Sequence, residues 1–188
     1  MKYKIILASK SPRRREILAL LHKPFTVVTI DGIDESYPDN LEPEKVSEYI
    51  SKKKAEAFLQ KIGNDEMIIT ADTVVICDGQ ILGKPTDEKE AMEMLRLLSG
   101  KTHKVTTGVT VATKEKRISF TSETLVSFAK ITDDEIRYYV DTFHPFDKAG
   151  AYGIQEWIGA IAVAKIDGSF YNVMGLPVHR LYQELKKF

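Results

Sequence analysis

Tyr3-Lys4-Ile5-Ile6-Leu7-Ala8-Ser9-Lys10-Ser11-Pro12-Arg13-Arg14-Arg15 is the stretch that decides the fold. Residues 3–8 are a compact apolar run, which predicts a buried strand. Ser11-Pro12 then opens a helix, with Ser11 as N-cap and Pro12 at the first helical position, where its missing N–H is not needed. A strand that passes through a short turn into a helix begins an α/β protein. Ile17, Leu20 and Leu21 follow at helical spacing, and Pro24 stops the helix. The first turn also breaks a local rule. A helix N-terminus carries about half a positive elementary charge, yet Arg13, Arg14 and Arg15 all sit there. The arrangement makes sense if an anion rests on the turn, where free N–H groups, the hydroxyls of Ser9 and Ser11 and guanidinium forks suit phosphate oxygens. Otherwise the arginines point away into solvent. No Gly-x-x-x-x-Gly-Lys-Ser/Thr run exists, so this turn is not a P-loop.

Working outward, residues 25–30 read as a second strand. An acidic loop from Asp31 to Asn40 follows and contains Asp34-Glu35. Pro43 starts a long helix to about Ile62, stopped by Gly63-Asn64. Residues 67–77 form an apolar strand interrupted by Thr70-Ala71-Asp72-Thr73. Asp78-Gly79 is a hairpin signal, returning through Gln80-Ile81-Leu82 to a stiff Gly83-Lys84-Pro85 loop. Asp87 with Glu90 predicts a capping box for a helix through Leu98, which Gly100 ends. Two Val- and Thr-rich strands are expected near 104–113 and 118–129. Thr132 with Glu135 caps a further helix that turns Ile136, Tyr139, Val140 and Phe143 inward. Residues 147–155 form a loop containing glycines. The runs 158–166 and 169–173 flank the turn Asp167-Gly168, and Pro177 starts the last helix. The sum is a mixed α/β protein whose sheet is partly antiparallel and flanked by helices. With no internal repeat, low-complexity tract or long linker, residues 1–188 are expected to form one domain.

Bulk properties narrow the function. The chain has 188 residues, 43% hydrophobic and 29% charged, which reads as globular. Its 27 Lys+Arg balance 27 Asp+Glu, so it lacks the bulk charge that holds duplex nucleic acid, and any anion must be held locally. Cys77 is the single cysteine and lies in an apolar run, which reads as a buried bystander rather than a disulfide or metal thiolate. The N-terminal apolar stretch is too brief for a signal peptide, and no run reaches membrane-spanning length. A cytoplasmic protein without membrane contact is expected. His22, His103, His144 and His179 show no metal-ligand spacing and read as surface or structural.

Four further features carry chemistry. Asp72 interrupts an apolar strand. A buried, unpaired carboxylate there would cost several kcal/mol, so it is paired, metal-bound, at a strand end, or bonded to backbone amides at a bulge. In the long helix, Val46, Ile50, Phe58 and Ile62 mark a buried stripe with Lys54 on it, whereas Lys52 points elsewhere. Lys54 either snorkels to the edge or reaches an internal anion. Asp34-Glu35 is either a solvated acidic pair or the source of a second carboxylate for a hard cation such as Mg²⁺. Gln155 ends a loop whose glycines let a ligand approach the backbone, and it offers a donor and an acceptor to a base edge.

The segments Ser9-Lys10-Ser11-Pro12-Arg13-Arg14, Lys54-Ala55, Ala71-Asp72-Thr73-Val74-Val75 and Gly83-Lys84-Pro85 together resemble the Maf family of nucleoside triphosphate pyrophosphatases. Leu98 to His103, Asp147 to Gln155 and Gly175-Leu176-Pro177 continue the resemblance over nearly the whole chain. It implies two lobes with a central cleft, as in Maf- and ITPase-like folds, and hydrolysis of nucleoside triphosphates to monophosphate and pyrophosphate by attack of water at the α-phosphate. By the same resemblance Asp72 is the catalytic aspartate, which either accepts the water's proton or holds the metal that acidifies it, with Glu35 as the other residue on the metal side of the site. Ser9, Arg14, Lys54 and Lys84 face the triphosphate. Arg13, Thr73 and Gln155 are similar to the trio that separates a dTTP/UTP subgroup from one acting on methylated GTP or CTP. A divalent cation, Mg²⁺ or Mn²⁺, is the implied cofactor, and a homodimer is left open. One departure stands at the pocket rim: Gln155 is followed by Glu156-Trp157, where the family often has glycine. Two alternatives remain beside this reading: a house-cleaning enzyme for modified pyrimidine nucleotides, and a non-catalytic nucleotide-binding regulator of cell division.

Overall fold

The opening strand, turn and helix form as the sequence predicts. In the computed structural model, which describes residues 2–29 and 32–188, strand β1 spans Lys4–Ala8 and helix α1 spans Pro12–Ala19. The Ser11 hydroxyl caps α1 by accepting from Arg14 N at 3.4 Å. The buried face of α1 is Ile17 and Leu18, while Leu20 is 52% exposed. The difference arises because α1 ends at Ala19, so the expected spacing to Leu20 and Leu21 runs past the helix.

Strand β2 (Phe25–Val28) follows, then α2 (Pro43–Leu59), β3 (Glu66–Cys77), β4 (Gln80–Leu82) and α3 (Glu88–Leu98). The expected end of β2 at Ile30, and Asp31 at the head of the acidic loop, lie outside the described residues. Strands β5 (Thr102–Ala112) and β6 (Arg117–Phe128) come next, then α4 (Asp133–Phe143) and a 3₁₀ turn at Ala149–Ala151. The chain ends through α5 (Trp157–Ala162), β7 (Val163–Asp167), α6 (Phe170–Met174) and α7 (Val178–Leu185). Among the described residues the strands run in the order β2-β1-β3-β5-β6-β7, with β4 beside β3. Strand β1 is parallel to β2 and β3, whereas β3–β4 and β6–β7 are antiparallel, so the sheet is mixed.

The chain divides into two compact units. The first contains the residues up to Thr73, Thr107–Ser122 and Gly175–Phe188; the second contains Val74–Thr106 and Glu123–Met174. One apolar cluster of the first unit joins Ile6, Ala8, Phe58, Ile62, Ile68 and Ala112. The core of the second gathers Val75, Leu95, Leu98, Val126, Phe128, Ile136, Tyr139 and Ile158, together with buried Cys77. Among the described residues no helix is long and apolar enough to cross a membrane.

Two local expectations change. Asp87 caps α3 by accepting from Glu90 N at 2.8 Å, but Glu90 does not close the capping box. Its carboxylate bonds the amide and hydroxyl of Thr86 instead, both at 2.7 Å, because that threonine offers two donors side by side. At Thr132 and Glu135 the full box forms. The apolar run 158–166 is also not one extended segment. It is helix α5 up to Ala162 and strand β7 beyond it, and 170–174 is helical. A short apolar run has no period that separates a buried helix from a buried strand.

Candidate functional site

The first unit brings six of the expected site residues into one charged cluster. Lys54, on the inner stripe of α2, reaches Asp72 on β3, with Nζ 2.8 Å from Oδ1. The same ammonium lies 3.0 Å from Glu35 Oε1. The Lys54 and Asp72 side chains are each 13% exposed, and Glu35 is 52% exposed. The aspartate that breaks the apolar strand is thus paired, and the lysine on the apolar stripe reaches an internal anion. Its neighbours turn elsewhere: Lys52 pairs with Glu48 one turn back, and Lys53 binds Asp34 Oδ2 at 2.9 Å. Asp34 is held well below the usual carboxylate range by Lys53, with the Ser36 hydroxyl and amide adding to the effect. The two acidic residues Asp34 and Glu35 are therefore divided between consecutive lysines of one helix.

Arg14 occupies the other side of the cluster. Its Nε donates to Gly175 O at 2.8 Å and its Nη2 to Thr73 Oγ1 at 3.1 Å. Thr73 Oγ1 in turn lies 2.9 Å from Thr107 Oγ1, so the hydroxyl is fixed from two directions. Burial is the largest influence on Arg14 and lowers its pKa; Asp72 opposes this, Arg13 adds to it and Glu35 opposes it. These opposing fields place Arg13, Arg14, Glu35 and Asp72 in one electrostatic neighbourhood. The guanidinium stays charged, and two of its five N–H donors are engaged within the protein. Gly175 has a φ of 114°, outside the comfortable range of any residue with a Cβ, and this turn aims its carbonyl at Arg14.

Ser9 lies in the turn between β1 and α1, where its hydroxyl accepts from Ser11 N at 3.1 Å and its own N–H bonds Val28 O at 3.2 Å. Lys84 and Gln155 belong to the second unit, and both are exposed. Their loops are tied together there: Gly150 N donates to Gly83 O at 3.0 Å. Among the described residues no group of three or more His, Cys, Asp or Glu side chains could hold a metal by itself. His103 is structural, 2% exposed, with Nε2 at 2.7 Å from Tyr152 Oη.

Sequence reasoning missed Thr107 and the carbonyl of Gly175. Thr107 is one threonine among several in its strand, and nothing local marks it. Gly175 lies in a segment that carried the family resemblance, but no side chain pointed to the work of its backbone.

The chain is 54% identical over 187 residues to a dTTP/UTP pyrophosphatase of Parabacteroides distasonis, spanning 100% of this chain and 97% of that one. It is 55% identical over 186 residues to a dTTP/UTP pyrophosphatase of Phocaeicola vulgatus, spanning 99% and 96%. Its fold is similar to the structure of the Staphylococcus aureus Ham1 protein, with a TM-score of 0.58 at 15% identity over 98% of both chains. A family model described as Maf-like protein matches residues 4–188, and the chain belongs to that family.

Proposed function

We propose that this protein hydrolyses dTTP and UTP to the monophosphate and pyrophosphate, by attack of water at the α-phosphorus. The observation that carries the chemistry is Lys54 Nζ held between the carboxylates of Asp72 and Glu35 at 2.8 and 3.0 Å. In the proposed reaction Asp72 accepts the proton of the attacking water. A new oxygen–phosphorus bond forms, the α–β bridging bond breaks, and pyrophosphate leaves with the electron pair. That leaving group is highly charged, so most of the rate should come from cations fixed where its charge grows. Lys54 and Arg14 of the first unit fill this role, with the Ser9 hydroxyl and the α1 N-terminus contributing donors.

A hard divalent cation fits the donors. The ammonium between Glu35 and Asp72 marks a position where two carboxylate oxygens favour positive charge. Mg²⁺ is commonly held by one or two carboxylates with substrate oxygens and water completing its shell, so two protein ligands suffice. Such an ion would neutralise charge on the phosphate oxygens. With that ion in place, Lys54 would be released from its carboxylate partners to meet the triphosphate.

The choice of base rests on Arg13, Thr73 and Gln155, which match the dTTP/UTP trio, and on relatives that carry that activity in their names. A panel of dTTP, UTP, CTP and GTP, assayed for pyrophosphate release with and without Mg²⁺ or Mn²⁺, tests the reading. It predicts that dTTP and UTP are turned over best. A preference for purines sinks the substrate assignment, and binding without pyrophosphate release would favour a regulator.

A further inference from the structure

The second unit contains a partly buried charged network built around a residue the reaction does not use. Glu156 stands directly after Gln155, at the N-cap of α5, yet its side chain makes no capping bond. Its carboxylate turns back instead. Oε2 accepts from the Tyr139 hydroxyl in a short bond, and Oε1 lies 3.1 Å from Lys148 Nζ. Lys148 is itself 7% exposed and also pairs with Asp147 at 2.7 Å. The Tyr139 oxygen receives the Gly153 N–H at 3.0 Å, and Glu156 N donates to Gly153 O at 2.9 Å, closing the turn 153–156 from both sides. Burial, reinforced by Glu156, pushes the Tyr139 phenol up, so it keeps its proton for this bond.

The consequence falls on Gln155. Residues 151–154 are buried and Gln155 is exposed, so it is the point at which the turn meets solvent. A Cβ on Gly153 would lie 2.9 Å from Glu156 Oε2 and 3.0 Å from Gln155 Nε2, so both side chains lie over the same bare glycine. A carboxamide free to rotate by half a turn presents either its oxygen or its NH₂. It would then match the N3–H of thymine and uracil and the bare N3 of cytosine equally well. A fixed negative charge beside it removes that freedom, because it draws the NH₂ end toward itself and leaves the oxygen on the other side, free to accept from the N3–H of thymine or uracil, where cytosine has only a lone pair.

We propose that Glu156 is a positioning residue for base selection: anchored by Tyr139 and Lys148, its carboxylate fixes the orientation of the Gln155 carboxamide, and this orientation separates pyrimidines that carry an N3–H from those whose N3 is an acceptor. The inference rests on the reading of Gln155 as a base-selecting residue.

Glu156→Gln keeps the size and a hydrogen-bond acceptor for Tyr139 but removes the charge, and Tyr139→Phe keeps the ring but removes the anchor. The readout is the ratio of kcat/KM for dTTP over dCTP. Partial unfolding lowers both rates alike and leaves this ratio unmoved. In both variants the ratio should fall by about ten-fold or more, because a site that no longer fixes its polar group loses discrimination. The change should come mainly from a rise in KM for dTTP, with kcat changed less than about two-fold. Gln155→Ala serves as the control. If it lowers the ratio while both other variants keep the wild-type value, Glu156 is merely structural and the inference is overturned. If Gln155→Ala itself leaves the ratio unchanged, the reading of Gln155 fails and the inference falls with it.

Discussion

Lys54 on the long helix α2 and Asp72 in strand β3 form an ion pair at 2.8 Å in which each side chain is 13% exposed. Pairs so withdrawn from water are seldom kept for stability alone, since similar apolar residues often serve as well. In the proposed reaction this pair supplies the base, Asp72, and a cation for the phosphates, Lys54, beside Glu35.

Replacing Lys54 with Met should lower kcat/KM for dTTP by at least about 100-fold, the scale on which one fixed charge stabilises a transition state. It should also cost about 1–3 kcal/mol of stability, because two carboxylates then face each other without a counter-ion. Steady-state pyrophosphate release and urea unfolding measure the two effects separately.

Arg14→Lys is not conservative at this site. Arg14 donates from two different nitrogens to Gly175 O and Thr73 Oγ1, and a single ammonium cannot reproduce that fork. The expected outcome is a loss of about 1–3 kcal/mol in urea unfolding, from acceptors left unmatched. Discrimination among bases should also weaken, because Thr73 loses one of its two constraints.

Stability should fall in mild acid through His103. Burial lowers its pKa to about 4, against an ordinary value near 6.5. Between those values the unfolded chain binds the proton and the folded one resists it. The stability is therefore fully present above pH 6.5 and is lost as the pH falls toward 4, by about 1.4 kcal/mol per unit at most. The thermal midpoint of the wild type should drop more steeply over this window than that of His103→Gln.

Chelation of divalent cations should stop turnover, and Mg²⁺ or Mn²⁺ should restore it. Glu35→Gln should raise the metal concentration needed for half-maximal rate by about ten-fold or more, the scale of losing one carboxylate ligand or its partner. An unchanged metal requirement removes Glu35 from the metal side of the site.

Much of this was legible where the signals are local. Ser11-Pro12 marks the start of α1 and Asp78-Gly79 the hairpin, because capping and turn chemistry act within four residues. Lys54 and Asp72 could each be singled out as a polar residue on an apolar face, but their pairing with each other could not. The bonds of Arg14 to Gly175, 161 residues away, and of Thr73 to Thr107, 34 residues away, leave no trace in the sequence. Only the fold brings those atoms together. Glu156 showed only as a departure from glycine. Its partner Tyr139 read as an ordinary inward-facing aromatic, because a phenol's hydrogen bond has no periodic signature.

In the proposed reaction Asp72 does chemistry and does not merely balance Lys54. Pyrophosphate release from dTTP by Asp72→Asn, at saturating Mg²⁺ and beside a thermal melt, tests it most directly. The expected result is a folded protein with kcat reduced by about 100-fold or more. A folded Asp72→Asn protein that releases pyrophosphate at the wild-type rate would contradict it.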